Sequence, residues 1–493
     1  MSLINVTGLT FSYDGGYKNV FDNASFSLDT DWRLGLVGRN GRGKTTFLKL
    51  LAGEYEYSGK ISASVRFTYF PFAVADASRT VCEVLRDVCV AEEWELLREF
   101  SYLSIDPAAL YAPFCALSSG EQTKALLAGL FVDDGRFLLI DEPTNHLDAA
   151  ARAVVAEYLK RKRGFILVSH DRAFLDGCVD HIMSINKTNI EVCAGTFSSW
   201  LADFERRQAF EQAQNAQLKK DIARLSAAAS RTSAWADKTE ASKYGKASSG
   251  LKQDKGYVGH KAAKVMRRAK AAEDRAQTAI ERKNGLMKNV ETSEKLKLDA
   301  LDYRAERLVS VSAAEIIYDG KIVSTPVSFE LLRGERVALC GGNGSGKSSV
   351  LKLILGADIA HTGAMSVASG LIISYVPQTS DGLRGTLGEF AAEHGIDRSL
   401  FTAILNKTGF GNADYDGDIV AFSQGQKKKV LIAKSLCERA HLYVWDEPLN
   451  YIDIYSRLQI ERLLQEFKPT MIFVEHDRAF TEKIATKLVR LGE

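Results

Sequence analysis

The chain has 493 residues, which is too long for one typical domain and predicts two or three. Its formal net charge is only +2, and no apolar stretch approaches the roughly 18 residues that a transmembrane helix needs. The N-terminus lacks the basic start and apolar run of a signal peptide, and the seven scattered cysteines contain no C-x-x-C pair. These features exclude a disulfide framework and predict a cytoplasmic protein without membrane spans.

One ordered series of motifs occurs twice in the chain. The pattern G-x-x-x-x-G-K-[ST] covers residues 38–45 and again residues 341–348. In each copy an aspartate follows that closes an apolar run, and then a histidine that precedes another aspartate. The spacings agree, with 97 and 99 residues from lysine to aspartate and 29 and 30 more to the histidine. Chance does not supply such a series twice, so the sequence predicts a duplicated domain.

Each copy begins with a glycine-rich loop that lies between an apolar strand-like run and a helix-like run. Such loops let backbone N–H groups surround phosphates at a helix N-terminus, so both are predicted to bind ATP. We expect Lys44 and Lys347 to contact the terminal phosphates, and Thr45 and Ser348 to hold Mg²⁺. The other predicted ATP contacts in the loops are Gly38, Asn40, Gly41, Gly43, Thr46, Gly341, Asn343, Gly344, Gly346 and Ser349.

Two adjacent acids end a continuous apolar run in each half of the chain. A strand buried on both faces would deliver the first acid, Asp141 or Asp446, to Mg²⁺. The second acid, Glu142 or Glu447, is predicted to act as the general base on the attacking water. A lone histidine after the next apolar run is more often structural, but in this series we expect a contact to the γ-phosphate. The two histidines in that position are His170 and His476.

Two segments of the form S-x-G-[EQ] complete a resemblance to the ATP-binding cassette superfamily. They cover residues 118–121 and 423–426 and begin 74 and 76 residues after the loop lysines. In that family each signature segment completes the ATP site of the opposite cassette. The resemblance therefore places Ser423, Gly425 and Gln426 at the site of Lys44, and Ser118, Gly120 and Glu121 at the site of Lys347. It also implies an aromatic residue stacked on each adenine, and the residues in that position are Tyr13 and Tyr318.

The resemblance implies an α/β fold with two ABC-type P-loop nucleotide-binding domains joined by a long helical hairpin. We expect a first cassette over residues 1–203, a linker over 204–301 and a second cassette over 302–493. The linker contains no proline, and its apolar residues recur at spacings of three and four. This pattern predicts two amphipathic helices with a glycine-rich tip near residues 244–259. A solvated charged spacer is the alternative, although a spacer needs neither that length nor a basic tip.

The first cassette departs from the family pattern at the glutamine that normally contacts Mg²⁺. Gln378 supplies this residue in the second cassette, whereas Phe72 stands there in the first. Both signature segments also replace a small residue, with Ser119 and Gln424. Gln424 would bring a bulky amide to the approach of the γ-phosphate. We therefore hypothesise that the site of Lys44 hydrolyses ATP slowly or mainly holds it.

The linker includes the most basic segment of the chain. Residues 231–270 contain eleven Lys or Arg against three acidic residues, and clustered positive charge attracts RNA phosphates. Tyrosine or histidine at the tip would stack on bases or pack within the tip. The predicted RNA contacts are Lys243, Tyr244, Lys246, Lys252, Lys255, Tyr257, His260, Lys261, Lys264, Arg267 and Arg268. DNA binding is compatible with the charge alone, but a chromosome-organising ATPase would need a far longer coil.

Two cassettes and a basic helical linker in one chain resemble the ABC-F class. The segments Lys243–Gly245, Ala262–Arg268 and Trp445–Asn450 resemble the Lsa-type antibiotic-resistance proteins of that class. This resemblance implies a monomeric cytoplasmic ATPase that uses ATP and Mg²⁺ and pairs its own cassettes. It implies binding to large-subunit rRNA near the ribosomal exit site, and a linker inserted near P-site tRNA. Release would follow ATP hydrolysis, and the ribosome would be protected from lincosamides, pleuromutilins and streptogramin A.

Two alternatives stay open from the sequence. A housekeeping or stress translation factor of the ABC-F class would show the same motifs. An ATPase subunit of a transporter with separate membrane partners would show the cassettes, but it would not need the basic linker.

Overall fold

The computed structural model describes residues 2–492 with internal gaps. The residues outside the description are 14–18, 134, 146, 187–189, 319–320, 412–414, 416 and all of 242–297 other than 264, 267, 270, 271, 275 and 278. The chain divides into two compact units, one of Met1–Trp200 with Lys295–Glu493 and one of Leu201–Glu294. Both predicted cassettes therefore belong to the same unit.

The first cassette combines an antiparallel sheet, a mainly parallel sheet and surrounding helices. Its strands are β1 (Leu3–Phe11), β2 (Phe21–Asp29), β3 (Arg33–Gly38), β4 (Ser58–Ser62), β5 (Arg66–Phe70), β6 (Arg136–Asp141), β7 (Phe165–Val168), β8 (His181–Ile185) and β9 (Ile190–Ala194). Its helices are α1 (Lys44–Ala52), α2 (Val81–Arg86), α3 (Glu93–Tyr102), α4 (Ser119–Leu130), α5 (Ala149–Lys160) and α6 (Arg172–Cys178), with 3₁₀ turns at Pro107–Tyr111 and Phe114–Ala116.

The parallel sheet explains why distant motifs meet. Its strand order is β5-β6-β7-β3-β8-β9, and only β9 runs antiparallel to its neighbour. β6 and β7 are almost wholly apolar because both faces of the sheet are covered. Parallel strands end at the same edge, and this edge is where ligands bind in such sheets. β3, β6 and β7 therefore bring the glycine-rich loop, the paired acids and the histidine together.

The second cassette repeats this architecture. Its strands are β10 (Arg307–Ala314), β11 (Ile317–Tyr318), β12 (Lys321–Ile322), β13 (Val327–Leu332), β14 (Arg336–Cys340), β15 (Ala364–Val367), β16 (Ile373–Val376), β17 (Leu442–Asp446), β18 (Met471–Val474) and β19 (Lys487–Arg490). The parallel order β16-β17-β18-β14-β19 matches β5-β6-β7-β3-β8, and the antiparallel sheets β2-β1-β4 and β13-β10-β15 also match. The predicted duplication is thus a duplication of folds.

A long helix, α7 (Phe197–Ala241), lies between the cassettes in sequence. Its 45 residues span about 67 Å at 1.5 Å per residue. The helix begins seven residues before the predicted linker boundary because Phe197 and Trp200 are buried in the cassette unit. The described residues of the returning segment, from 264 to 278, are helical. The predicted tip at 244–259 lies outside the described residues.

The helices of the second cassette follow the same pattern as those of the first. They are α8 (Lys347–Ile354), α9 (Leu387–Glu393), α10 (Arg398–Lys407), α11 (Gln424–Cys437), α12 (Ile454–Phe467) and α13 (Arg478–Ile484), with a 3₁₀ turn at Ile419–Ala421. Apolar clusters fill both faces of the parallel sheet, with fully buried Trp445 and Phe473 on one face and Val444 and Ile472 on the other. In the part of the chain that the structure describes, no helix is long and apolar enough to cross a membrane.

Candidate ATP-binding and hydrolysis sites

The cavity at Lys44 is built from both cassettes. Its volume is about 340 Å³. The first cassette lines it with Asn40, Gly41, Gly43, Lys44, Thr45, Thr46, Asp141, Glu142, Asn145, Val168 and His170, and the second with Ser423, Gln424, Gly425 and Tyr451. Eleven of the predicted site residues are therefore brought together across the boundary between the cassettes.

The cavity at Lys347 is larger and its opposite wall differs. Its volume is about 550 Å³. The second cassette lines it with Tyr318, Val323, Asn343, Gly344, Ser345, Gly346, Lys347, Ser348, Ser349, Gln378, Glu447, Asn450 and His476, and the first with Ser119, Asn145, Leu147 and Arg152. Of the first signature segment only Ser119 reaches this cavity, so the predicted contacts Ser118, Gly120 and Glu121 are not among its lining residues. The predicted site residues Tyr13, Gly38, Gly341, Asp446 and Gln426 are also not among the lining residues of either cavity.

The ammonium of each loop lysine lies within hydrogen-bond distance of oxygen atoms of its own glycine-rich loop. Lys44 Nζ lies 2.8 Å from Gly38 O, 3.3 Å from Arg39 O and 3.2 Å from Asn40 Oδ1. Burial lowers the pKa of Lys44, although the nearby carboxylates oppose this shift. Gly43 has φ 87°, and a Cβ there would lie 2.6 Å from Val20. A buried ammonium at the start of α1, with only oxygen acceptors around it, suits the terminal phosphates of ATP.

A hydroxyl and a carboxylate meet beside each lysine. Thr45 Oγ1 donates to Asp141 Oδ2 at 2.7 Å, and Ser348 Oγ donates to Asp446 Oδ1 at 3.1 Å. Mg²⁺ binds through one or two such oxygens together with phosphate oxygens and water, so these pairs fit the ion. With ATP bound, Mg²⁺ would supply charge neutralisation of the phosphates.

The partner of the carboxylate predicted to hold Mg²⁺ differs between the cassettes. Phe72 follows β5 at the position where Gln378 follows β16, and it offers no polar atom. Tyr69 lies three residues earlier, and its hydroxyl donates to Asp141 Oδ2 at 3.0 Å. In the first cassette Tyr69 therefore contacts the Asp141 carboxylate, whereas in the second cassette Gln378 lines the cavity.

Both predicted general bases have unusual backbone conformations. Glu142 has φ 50° and Glu447 has φ 45°, in the left-handed region that non-glycine residues rarely occupy. Such conformations cost about 1–3 kcal/mol and persist where the surrounding structure fixes them. Here the backbone N–H of each glutamate is held by the neighbouring strand, at Val168 O and Val474 O. The turn directs each carboxylate back toward its cavity.

The carboxylate of Glu447 is held by several donors. Burial raises its pKa, but hydrogen bonds from His476, Gln378 and Asn450 outweigh this and bring the pKa to about 2. Asn450 Nδ2 lies 2.6 Å from Oε2, and His476 Nε2 lies 3.5 Å from Oε1. Glu447 is therefore ionised at neutral pH, as a general base must be.

Glu142 has fewer partners. Burial and the neighbouring Asp141 raise its pKa to about 8. His170 Nε2 lies 3.2 Å from Glu142 Oε1 without hydrogen-bond geometry, and that buried oxygen has no hydrogen-bond partner among the described residues. Burial and the charges of Lys44 and Arg457 hold the pKa of His170 well below its usual value. An unpaired acid oxygen beside a neutral histidine leaves room for a bound water or phosphate.

The signature segments begin helices with well-formed caps. Ser118 and Ser423 cap α4 and α11 through reciprocal bonds with Glu121 and Gln426. Gly425 permits the close approach to the first cassette, since a Cβ there would lie 2.4 Å from Tyr451 O and 2.8 Å from Asn40 Nδ2. Asn40 Nδ2 in turn donates to Tyr451 O at 2.8 Å.

Gln424 lines the Lys44 cavity, but its amide is engaged elsewhere. The Oε1 atom accepts a hydrogen bond from Ser380 Oγ at 2.5 Å. Ser380 belongs to the second cassette, two residues after Gln378. The amide is thus drawn toward its own cassette, a contact that the motif spacing does not predict.

The two predicted adenine-stacking tyrosines are fixed by hydroxyls at the start of the following helix. Tyr13 Oη lies 2.6 Å from Thr46 Oγ1, and Tyr318 Oη lies 2.9 Å from Ser349 Oγ. Both rings are partly exposed. Tyr13 also packs edge-on against Phe11 and Tyr55.

Two arginines that the motif search missed stabilise the loops after the acids. Arg152 binds Leu147 O, Thr144 O and Asp171, and Arg457 binds Ile452 O, Leu449 O and Asp477. Arg152 lines the Lys347 cavity. Each arginine stands four residues after the aspartate of its loop, so a direct alignment of the two halves could have found the pair.

A buried ionic cluster joins the cassettes on one side only. Arg172, two residues after His170, pairs with Glu461 and Asp477 of the second cassette. Lys483 also pairs with Glu461, and Arg457 with Asp477. The residues that match Arg172 and Glu461 in the repeat are Arg478 and Ala156. Arg478 is 82% exposed in its side chain and pairs with Glu482 of its own helix.

The predicted RNA contacts lie mostly outside the described residues. Lys264 and Arg267 are described as exposed residues in helical conformation. The others, Lys243, Tyr244, Lys246, Lys252, Lys255, Tyr257, His260, Lys261 and Arg268, fall in undescribed positions.

Both a family model and individual proteins of known sequence are similar to this chain. The family model described as ABC transporter matches residues 21–145 and 324–450. The ribosome protection protein VmlR of Bacillus subtilis is 28% identical over 98% of this chain and 86% of its own length. ABC transporter F family member 2 of Arabidopsis thaliana is 25% identical over 99% of this chain and 76% of its own length.

Solved structures agree in fold. A structure of archaeal ribosomal stalk protein aP1 with the archaeal ribosome recycling factor aABCE1 contains a chain that aligns with a TM-score of 0.64 and 19% identity. The alignment covers 98% of this chain and 89% of that chain. At this identity the likeness supports the fold alone.

Paired P-loop domains with cavities shared across their boundary define an ATPase of the cassette type. The chain belongs to the ABC transporter family, whose model matches both cassettes. Its similarity to F-family relatives confirms the predicted ABC-F class, and the predicted α/β fold and ATPase activity are confirmed with it.

Proposed function

We propose that this protein is a ribosome-protecting ABC-F ATPase that works in the cytoplasm. The observation that carries the proposal is similarity to VmlR, a ribosome protection protein, along 98% of the chain. That alignment spans the linker as well as both cassettes. The basic composition of residues 231–270 supports an RNA target for the linker, because RNA backbones attract clustered Lys and Arg.

The two cavities act in this proposal as ATP sites. Lys44 and Lys347 bind the terminal phosphates, while Thr45 with Asp141 and Ser348 with Asp446 hold Mg²⁺. Gln378 completes the ion's surroundings at the second site only. Glu447 is ionised and deprotonates the attacking water, whereas Glu142, whose pKa burial and Asp141 raise to about 8, mainly orients water. His170 and His476 lie next to the γ-phosphate. Because signature residues of one cassette line the cavity of the other, bound ATP favours the closed pair.

The closed pair is the ribosome-bound state. The linker then reaches large-subunit rRNA near the exit site and the P-site tRNA, and it reshapes the antibiotic pocket of the peptidyl transferase centre. Hydrolysis opens the cassettes and releases the ribosome. The expected drugs are lincosamides, pleuromutilins and streptogramin A compounds.

Ribosome trapping tests the first part of the proposal. The variant with Glu142→Gln and Glu447→Gln should sediment with ribosomes through a sucrose cushion in ATP but not in ADP. A variant with Lys44→Ala and Lys347→Ala is the matched control and should remain in the supernatant in both nucleotides. A trapped variant that stays free in ATP would show that the protein is not a ribosome-binding ATPase.

Drug susceptibility tests the second part. Expression in a sensitive host should raise the minimum inhibitory concentrations of lincomycin, tiamulin and virginiamycin M. The Lys44→Ala, Lys347→Ala variant should not raise them. Trapping on ribosomes with an unchanged drug panel would favour the housekeeping or stress translation factor. A transporter subunit is less favoured, since such a motor does not need a basic linker.

A further inference from the structure

A lysine with no role in the proposed mechanism is buried between the two ATP sites. Lys428 lies in α11, and only 1% of its surface is exposed. Its Nζ donates to Pro377 O at 2.7 Å and to Glu447 O at 3.1 Å. A buried ammonium whose bonds go to neutral carbonyls is costly, and an apolar side chain of similar volume would often stabilise the fold more. The pattern therefore points to a role other than stability.

One carbonyl belongs to a residue that lines the Lys347 cavity, and the other to the residue just before one that does. Pro377 directly precedes Gln378, which lines that cavity and donates to the Glu447 carboxylate. The second carbonyl is that of Glu447 itself, in its left-handed backbone conformation. One ammonium thus binds the backbone of the proposed water-activating residue, Glu447, and the backbone just before Gln378.

The N-terminal end of the helix that carries Lys428 lies at the other ATP site. α11 begins immediately after Ser423, and Ser423, Gln424 and Gly425 line the Lys44 cavity. A second bond supports the first, because buried Ser380 donates to the Gln424 amide at 2.5 Å. Residues 377–380 of the Lys347 site are therefore tied twice to the helix that closes the Lys44 site.

The repeat does not carry the same connection. Thr123 matches Lys428, since each stands five residues after the serine of its signature segment. The Thr123 hydroxyl donates to Ser119 O within its own helix. A threonine side chain is too short to span to the opposite segment. Among the described residues of the first cassette no side chain makes the same connection, so the connection between the two ATP sites lies in the second cassette.

We propose that Lys428 is a positioning residue that couples the two ATP sites through the second cassette. ATP at the Lys347 site fixes Gln378 and Glu447, and through Lys428 and Ser380 it sets the signature segment that closes over ATP at the Lys44 site. A helix is a stiff element, so displacement of residues 377–380 moves its N-terminal end. The coupling is a free energy between sites and is measurable as a ratio of affinities. The inference rests on the two ATP sites proposed above.

Photolabelling of each site in the full-length chain tests the coupling. With 8-azido-ATP as the probe, peptide mapping separates label near Tyr13 from label near Tyr318. The affinity of the first-cassette site should fall about fivefold or more when Lys347→Ala blocks the second site. In Lys428→Met, which keeps the volume of the side chain, the same comparison should give a ratio near one. Ser380→Ala removes the second tether and should reduce the ratio partly.

Lys427→Met is the matched control, because it replaces a half-buried neighbouring lysine of α11, whereas the bonds to Pro377 O and Glu447 O come from Lys428. It should keep the ratio of the unmodified chain. A ratio in Lys428→Met equal to that of the unmodified chain would overturn the inference while leaving the ATP sites intact. Equal loss in Lys427→Met, or a ratio of one in the unmodified chain, would also overturn it. Absence of label at either site would reject both the site assignment and the coupling.

Discussion

At the scale of single residues, the two carboxylates proposed to hold Mg²⁺, Asp141 and Asp446, are held differently. Asp141 accepts hydrogen bonds from Thr45 and Tyr69 on the same oxygen, whereas the hydrogen bond described for Asp446 comes from Ser348. Tyr375 matches Tyr69 in the sheet register, and burial and the charge of Asp446 raise its pKa, but among the described residues no hydrogen bond joins it to Asp446. Hydrogen bonds to a ligand from outside the metal's own coordination orient that ligand. Tyr69 therefore takes over part of the positioning that Phe72 cannot supply.

Replacement of Tyr69 should weaken Mg²⁺ at the first site. We expect Tyr69→Phe to raise the Mg²⁺ concentration for half-maximal binding of fluorescent ATP at the Lys44 site by about tenfold, because Asp141 loses an orienting donor. Binding is measured with the second site blocked by Lys347→Ala. Tyr375→Phe, tested at the second site with Lys44→Ala, should change this concentration little. Equal shifts in the two variants would contradict the assignment.

At the scale of elements, helices α6, α12 and α13 meet in the buried ionic cluster. Arg172 reaches from the first cassette to Glu461 and Asp477 of the second. Because Ala156 replaces the glutamate in the repeat, this contact exists on one side of the pair. A buried charge that loses its partner is strongly destabilising, so the cluster holds the cassettes together through specific partners and not through the presence of charge alone.

Removal of Arg172 should destabilise the cassette pair. Arg172→Met leaves Glu461 and Asp477 with fewer partners, and we expect the free energy of unfolding in urea to fall by about 3 kcal/mol. Arg478→Met, at the matching exposed position, should change it by no more than about 0.5 kcal/mol. A comparable loss of unfolding free energy in both variants would show that the buried cluster stabilises the protein no more than the exposed arginine does.

The same cluster predicts a pH dependence of stability. Burial alone would raise the pKa of Asp477, but Arg172 and Arg457 outweigh it and lower the pKa below its usual value. A group with a depressed folded pKa contributes stability above its unfolded pKa of about 3.9, and this is lost as the pH falls through the folded value. Urea unfolding of the unmodified chain should therefore lose more stability between about pH 5 and pH 3 than unfolding of Asp477→Asn. Parallel pH profiles for the two proteins would refute this contribution.

At the scale of the whole molecule, duplication has produced two unequal sites. The Lys44 cavity is the smaller, and three residues of the second cassette's signature segment line it. Only Ser119 of the first cassette's signature segment lines the Lys347 cavity. The Lys347 site keeps Gln378 and a carboxylate with several donors at Glu447. The first site thus suits retention of ATP, and the second suits turnover.

Single-site variants should reveal this inequality. Glu142→Gln, which leaves the Lys347 site active, should retain most of the ATPase activity of the unmodified chain. Glu447→Gln should reduce it about tenfold or more, since an amide cannot accept the proton of water and general-base catalysis contributes about 10²–10⁴-fold at that site, which leaves only the slower first site. Both are measured by phosphate release at saturating ATP. Equal turnover in the two variants would reject the inequality.

The sequence by itself determined the fold class, the duplication and most residues of each cavity. The reason is physical, since glycine-rich loops and apolar strands ending in acids have few other uses when they recur in one order. Gly43 lies in the loop that begins α1, and Asp141 and Asp446 end their buried strands, as the motifs predict. The domain limits and the RNA contacts of the linker remain predictions.

Only the tertiary structure decided how the two sites differ. The left-handed backbone of Glu142 and Glu447, the turn of Gln424 toward Ser380 and the contact of Tyr69 with Asp141 depend on neighbours far away in sequence. Lys428 and Arg172 look like ordinary surface charges in the chain, and packing alone buries Lys428 within the second cassette and Arg172 against it. Motif spacing reports which groups meet, while the packing around them sets what each group contacts and how it is held.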